Sequence, residues 1–360
     1  MKCSSVCWYR VSSFTLSDQW RSQEIPVGGE KFLGGRTTNE IRKEYFEITW
    51  AALRSMVDLS MAERSTIHYS EFLPHVKLVT SWATNVTENE VFTSNGDNVQ
   101  YDYLVIATGH VNTDPVTRSE SILKYQTALD NIRLSKSILI IGGGPTGVEL
   151  AGEIIDQFPE KKITLVHRGS RLLEFIGSKA SQKALEWLTS KKVEVILGQS
   201  VNLTTEEGVF RTSSGETIIA DCHFDCTGKP LGSSWLKDTI FSGSLDLQKR
   251  LAVDTNLRVK GFKNIFAIGD ITNISELKQG YLAMRHAELV AKNVRLLLKG
   301  ATENKLAAYK PARPIAFVSL GKKDAVAQLN CFTLSGCLPG LIKSGDLFVG
   351  KTRKTYGLEP

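Results

Sequence analysis

No two cysteines in this chain stand three positions apart, so the CxxC pattern is absent. The six are Cys3, Cys7, Cys222, Cys226, Cys331 and Cys337. Neither a thioredoxin-type nor a disulfide-reductase active site has a dithiol to draw on. Cys222 and Cys226 flank a predicted strand whose alternation reads them as buried thiols, and zinc would need closer spacing with histidine partners. His68, His75, His110, His167, His223 and His286 are scattered. They form neither HExxH nor a facing pair, so no metal centre is expected. GxSxG is missing too, which removes support for hydrolase chemistry. No apolar run approaches the roughly 20 residues that span a bilayer. Met1-Lys2-Cys3-Ser4 offers no secretory core, Lys2 stands where myristoylation takes a glycine, and Gly357-Leu358-Glu359-Pro360 is not a peroxisomal address. The net charge of +6 is small and dispersed, so no nucleic-acid footprint is expected. An anionic cofactor or a negative membrane surface would benefit from it. The expected location is the cytoplasm, with membrane association through the C-terminal tail left open.

The 360 residues exceed one small core, and 42% hydrophobic with 23% charged residues is ordinary for a globular protein. Ser137–Ile141 (SILII) reads as a buried parallel strand running into Gly142-Gly143-Gly144-Pro145-Thr146-Gly147. A predicted helix over Val148–Phe158 follows, and a second strand, Lys162–Val166, closes the unit. This strand–loop–helix–strand context makes the glycine pattern a dinucleotide site. Gly142 permits the turn, Gly144 admits a pyrophosphate, and Gly147 lets helix and strand pack closely. The helix N-terminus turns free N–H groups toward phosphate. A ribose-binding carboxylate should stand about 20 residues on. That position holds His167, followed by Arg168. Arg168 faces a 2′-phosphate or is a solvated strand-end charge, so NADH and NADPH both remain open.

Three further segments share a shape. Tyr101 to His110 (YDYLVIATGH) is a predicted strand ending in the small residues Thr108 and Gly109. Phe224 to Pro230 (FDCTGKP) ends similarly at Gly228, and Asn264 to Asp270 (NIFAIGD) ends at Gly269-Asp270. Small residues at strand C-termini leave room for a cofactor at that sheet edge. Asp270 could accept a ribityl hydroxyl, and a helix over Gly280–Leu298 follows. Gly28-Gly29 and Gly34-Gly35 have no strand before them and no apolar helix after them, and read as loop.

The order YDYLVIATGH, SILIIGGGPTGVELAGEI, FDCTGKP, NIFAIGDI resembles the two-dinucleotide-domain flavoprotein oxidoreductases. Within them the chain is similar to the apoptosis-inducing-factor-like group, of the ferroptosis-suppressor type with its plant homologues. KEYFEITW from Lys43, AALR to Arg54, AYKP from Ala308 and KSGDLFV from Lys343 carry the same resemblance. It implies an α/β fold with two Rossmann-like domains, one inserted in the other, and a short C-terminal α+β interface domain. The FAD-type domain would cover 43–134 and 230–305, the NAD(P) domain 135–229, and the interface domain 306–360. The resemblance implies FAD and NAD(P)H as cofactors, and a quinone-like or other small-molecule electron acceptor. It places Arg54, Ala83, Thr108, Gly109, Gly228, Gly269 and Asp270 around the cofactors. It makes Glu149 the catalytic candidate beside the nicotinamide, unless that residue is only a first-turn acid favouring the helix dipole. Lys343 would help shape the acceptor side or is a surface charge. The tail Leu341–Lys354 would dock a partner or a membrane, or pack as part of the interface domain.

One feature of that family is missing. Residues 1–42 show no strand or helix pattern and no FAD glycine loop, so they stand as an atypical segment in place of the first FAD-binding unit. The ribose-acid position falls near Ile41, with Glu40 beside it. The second reading is therefore a flavin-free NAD(P)-binding or interaction protein, a truncated isoform or decayed copy without redox activity.

Overall fold

The computed structural model describes residues 3–6, 25–27, 30–32, 37–40, 43–74, 76–111, 115–203 and 208–360. Along the chain, strands β1 (Cys3–Val6), β2 (Thr37–Glu40), β3 (Lys77–Val79) and β4 (Tyr103–Ile106) precede helix α1 (Arg118–Leu134). Then follow β5 (Ser137–Ile141), α2 (Pro145–Gln157), β6 (Lys162–His167), α3 (Ser178–Ser190), β7 (Glu194–Leu197) and β8 (Cys222–Asp225). After β9 (Ile265–Ala267) and α4 (Gly280–Leu298) come β10 (Ile315–Leu320), β11 (Asp324–Leu329) and β12 (Phe332–Gly336). Helices α5 (Cys337–Lys343) and α6 (Val349–Thr355) end the chain. Two compact units result: 1–46, 67–118 and 229–312 in one; 47–66, 119–228 and 313–360 in the other.

The first unit is built on a five-stranded sheet in the order β9-β4-β1-β2-β3. All its pairings are parallel, with Val6 opposite Ile106 on one side and Glu40 on the other. This corrects the expectation that residues 1–42 carry no strand. Cys-Ser-Ser-Val and Thr-Thr-Asn-Glu lack an apolar run, so no pattern marked them. The ladders offered by β4 and β3 are what place them. Glu40 ends β2 in register with Val6 and Val79. The strands Ile25–Val27 and Glu30–Phe32 pair antiparallel. Gly28-Gly29, Gly34-Gly35, Ile41, Cys7 and His75 lie outside the described residues. Leu104, Ile106, Ile265 and Phe266 are fully buried, and α4 packs Ala287, Val290, Ala291 and Val294 into the same core.

The second unit holds a four-stranded parallel sheet, β7-β6-β5-β8. β5 is apolar on both faces because both are covered, as expected of a parallel strand under helices. Ile138 and Ile140 meet Val148, Ala151 and Ile155 of α2 on one side. Leu139 and Ile141 meet Phe210 and Ile218 on the other. An antiparallel sheet, β10-β11-β12, adds Ala316, Val318, Leu320 and Val326 to the α2 side.

Candidate functional site

In the second unit the glycine loop leaves the C-terminal end of β5. Gly142 sits at φ +112°, and a Cβ there would stand 2.8 Å from the Cys226 carbonyl oxygen. A Cβ on Gly147 would meet the Gly142 oxygen at 1.8 Å, so helix and loop close only over glycine. Gly143 is equally tight, its missing Cβ lying against Leu172 and His167. Gly144 is different: nothing lies within 4 Å of its missing Cβ. Gly144 is also the N-cap of α2 and has no side chain capping that end. Pro145 takes the first helical position, where its lost N–H would have had no partner, and Thr146 beside it is exposed. A backbone that is crowded behind and open at the helix N-terminus fits a pyrophosphate.

At the end of β6, where the ribose carboxylate would stand, His167 turns inward. Its Nδ1 accepts the Gly143 N–H at 3.0 Å. Burial lowers its pKa below the ordinary histidine value, which keeps this nitrogen an acceptor. Arg168 is exposed and has no bonding partner among the described residues.

Two ion pairs grip α2, one part-buried and one buried. Glu149 Oε1 accepts the Ser319 N–H at 3.0 Å and the Lys343 ammonium, which also reaches the Phe317 carbonyl at 2.9 Å. The sequence-predicted pair of candidates is thus brought together. Arg54, expected at FAD, makes its hydrogen bonds within this unit. Nε and one terminal nitrogen bond both oxygens of Glu153 at 2.9 Å, and the remaining N–H groups reach the carbonyls of Ser344, Gly345 and Gly321. A guanidinium has five N–H donors, and all five are spent inside this unit. Its role is to hold a fold element, and no donor is left for a cofactor.

In the first unit, Thr108 and Gly109 follow β4, with Gly109 at φ +53°. The Thr108 side chain is buried and its Oγ1 has no hydrogen-bond partner among the described residues. Gly232 is pressed against the Thr108 carbonyl, 2.5 Å from where its Cβ would be. Gly269, at φ +73°, opens the turn after β9, and the Asp270 carboxylate stays 30% exposed with Oδ2 held by His110 Nδ1 at 2.9 Å. Ala83 opens the strand Ala83–Val86 and belongs to the core of this unit. A buried orphan hydroxyl and an accessible carboxylate at neighbouring strand ends suit the polyol of FAD. Gly228, at the end of the 119–228 segment of the second unit, has open space where a Cβ would be.

Among the described residues the cysteine thiols are unpaired. Burial pushes the Cys226 thiol up to about 12 and raises Cys222 as well. Cys222, Cys226, Cys331 and Cys337 are free, and no cluster of metal-ligating side chains occurs among the described residues.

Sequence reasoning placed His167 at the ribose position but missed its bond to the loop, and it gave His110 no role; each bonds a candidate site group, His110 across 160 positions and His167 across 24. His110 directly follows the Thr108-Gly109 turn, the one local signal available.

Parallel sheets with a glycine loop at a strand's C-terminal end define a dinucleotide-binding protein of the doubly wound class. The family described as pyridine nucleotide-disulphide oxidoreductase matches residues 33–290, and the chain belongs to it. It is a pyridine-nucleotide-dependent flavoprotein oxidoreductase that uses FAD and NAD(P)H. It is 31% identical over 344 residues to apoptosis-inducing factor homolog A of Dictyostelium discoideum, covering 86% of this chain and 83% of that protein. It is 30% identical over 335 residues to ferroptosis suppressor protein 1 of Taeniopygia guttata, covering 88% of each. The fold is shared with the solved sulfide:quinone oxidoreductase of Aquifex aeolicus, at TM-score 0.77 and 18% identity over 99% of this chain and 92% of that one.

Proposed function

We propose that this protein passes electrons from NAD(P)H through FAD to a quinone-like small molecule. The loop Gly142–Gly147 would hold the NAD(P)H pyrophosphate, and Thr108, Gly109 and Asp270 would hold the flavin's ribityl chain. When bound, FAD supplies the hydride chemistry, and the protein supplies position and charge. The observation that carries the reading is the Glu149–Lys343 pair, half a turn beyond Gly147 on α2. Glu149 has one carboxylate oxygen engaged twice, which fixes the Lys343 ammonium against the Phe317 carbonyl. A part-buried ammonium held this way can neutralise negative charge on an acceptor, or hand it a proton. A quinone is the acceptor named for the sulfide:quinone oxidoreductase that shares the fold, and it enters here as part of the proposal.

The same reading places the protein in the cytoplasm, touching a membrane through its C-terminal segment, where an apolar quinone would reside. In support, Leu338, Leu341, Ile342 and Phe348 are exposed there, with Lys351 and Lys354 exposed on α6. No helix among the described residues is long and apolar enough to cross a membrane, so the contact would be peripheral.

The visible spectrum of the purified chain, recorded before and after anaerobic addition of NADH or NADPH, tests the first half. A flavin spectrum that bleaches, and recovers on adding a short-chain quinone, is the expected result. A colourless protein that takes up no FAD would leave only the flavin-free nucleotide-binding reading. Co-sedimentation with anionic but not neutral vesicles is expected for the second half, and recovery in neither pellet would remove the membrane contact.

A further inference from the structure

A buried polar cluster in the first unit lies behind the Gly269-Asp270 turn. The Glu276 and His286 side chains are each only 1% exposed. Glu276 Oε1 bonds His286 Nε2 at 2.8 Å, and its Oε2 accepts the Tyr309 hydroxyl and the Ala312 N–H, both at 2.9 Å. The other imidazole nitrogen, Nδ1, lies 3.1 Å from the Gly269 N–H. Tyr309 meets the ring edge-on, with centroids 4.4 Å apart.

These contacts fix the protonation pattern. A carboxylate accepts, so the proton between Glu276 and His286 belongs on Nε2. The Gly269 amide donates, so Nδ1 carries the lone pair. Burial lowers the His286 pKa from its ordinary value, against the opposing pull of Glu276 and with Lys278 and Arg285 adding to the lowering. The neutral Nε2–H tautomer satisfies both sides at once. Gly269 in turn gives its carbonyl to the Thr272 hydroxyl at 2.8 Å, and Ile268 N–H bonds the Ile106 carbonyl on β4 at 3.0 Å. The turn that presents Asp270 is therefore held from α4 through one imidazole nitrogen.

We propose that His286 is a positioning residue for the flavin site: Glu276 orients it, and its Nδ1 fixes the Gly269-Asp270 turn in the conformation that receives the ribityl chain. This rests on the flavoprotein reading given above. The residue touches no cofactor; it acts through the Gly269 amide. A buried imidazole that merely filled space would need neither the tautomer nor the carboxylate behind it, and a leucine would cost no unpaired groups.

Two substitutions separate these roles. His286→Asn places a side-chain oxygen near the position of Nδ1, where it can accept from Gly269, but it no longer reaches Glu276. His286→Gln places an amide near the position of Nε2, where it can donate to Glu276, but it leaves the Gly269 N–H buried and unpaired. Three readouts are taken on the full chain: the FAD dissociation constant of the apoprotein, from quenching of flavin fluorescence; hydrogen exchange of the Gly269 amide in that apoprotein; and the thermal midpoint. The Asn variant is expected to keep FAD affinity within about threefold of wild type. The Gln variant is expected to lose about tenfold or more, with faster Gly269 exchange. Equal affinity and exchange in both variants, or a weaker Asn than Gln variant, would overturn the proposal whatever happens to the thermal midpoint. If the wild-type apoprotein takes up no FAD, the flavoprotein reading falls. The exchange contrast alone then decides whether His286 holds the turn.

Discussion

A Cβ added to Gly147 would stand 1.8 Å from the Gly142 carbonyl oxygen, which is backbone and cannot rotate aside. Gly142 itself needs φ +112° and faces the Cys226 carbonyl, so the loop has no room to retreat. Gly147→Ala must therefore push α2 away from β5 or reopen the loop, and either change spoils the phosphate cradle. Gly144 is the control, because a methyl group there enters open space. We expect Gly147→Ala to lower thermal stability and abolish measurable NAD(P)H binding. Gly144→Ala should keep the fold and weaken binding only where the pyrophosphate would pass. Calorimetric titration with NADH and NADPH checks both, and equal binding by wild type and the Gly147 variant would remove the loop from the site. Donor preference belongs to this scale as well. His167 is spent on the Gly143 amide, so the exposed Arg168 is the group at this strand end left to meet a 2′-phosphate.

The short helix Ala52–Ser55, helix α2 and the segment after α5 are tied together by one side chain, Arg54. Such a buried pair adds little net stability over an apolar replacement, but removing one partner strands a charge at roughly 3–5 kcal/mol. Arg54→Met should cost about that much, because Glu153 is left at 1% exposure beside three unpaired carbonyls. Adding Glu153→Leu should return part of the loss, and urea unfolding of the single and double variants measures it. Additive losses would show that the two side chains do not act as a pair. This network was not legible in the sequence, since Arg54 and Glu153 are 99 positions apart and the resemblance assigned Arg54 to the cofactor. β5 and α4 were legible because packing wrote itself into their composition. Ser137–Ile141 is apolar on both faces, and Gly280–Leu298 carries a repeating apolar stripe. β1 and β2 were not, because Cys-Ser-Ser-Val and Thr-Thr-Asn-Glu hold their places by backbone pairing with neighbours distant in the chain.

On the scale of the whole molecule, those two inconspicuous strands decide whether the first unit exists. β1 is the central strand of five, bonded to β4 on one side and to β2 on the other, and β2 alone joins β3 to the sheet. Without residues 1–42, β4 and β9 would remain a two-stranded parallel pair and β3 would be isolated. Parallel pairs of that size do not persist on their own, since both faces and both edges would need cover. The second unit contains none of these strands, and its sheet, glycine loop and ion pairs would be complete. Deleting residues 2–42 should therefore abolish FAD binding and cooperative unfolding of the first unit. Protease should then cut within 67–118 and 229–312 while fragments of 119–228 persist. Limited proteolysis with mass spectrometry, run on both chains with and without NADH, measures this directly. Should the shortened chain retain wild-type protection throughout the first unit, the central place of β1 in this sheet would be wrong. Loss of protection in both units at once would mean instead that the second cannot stand without the first.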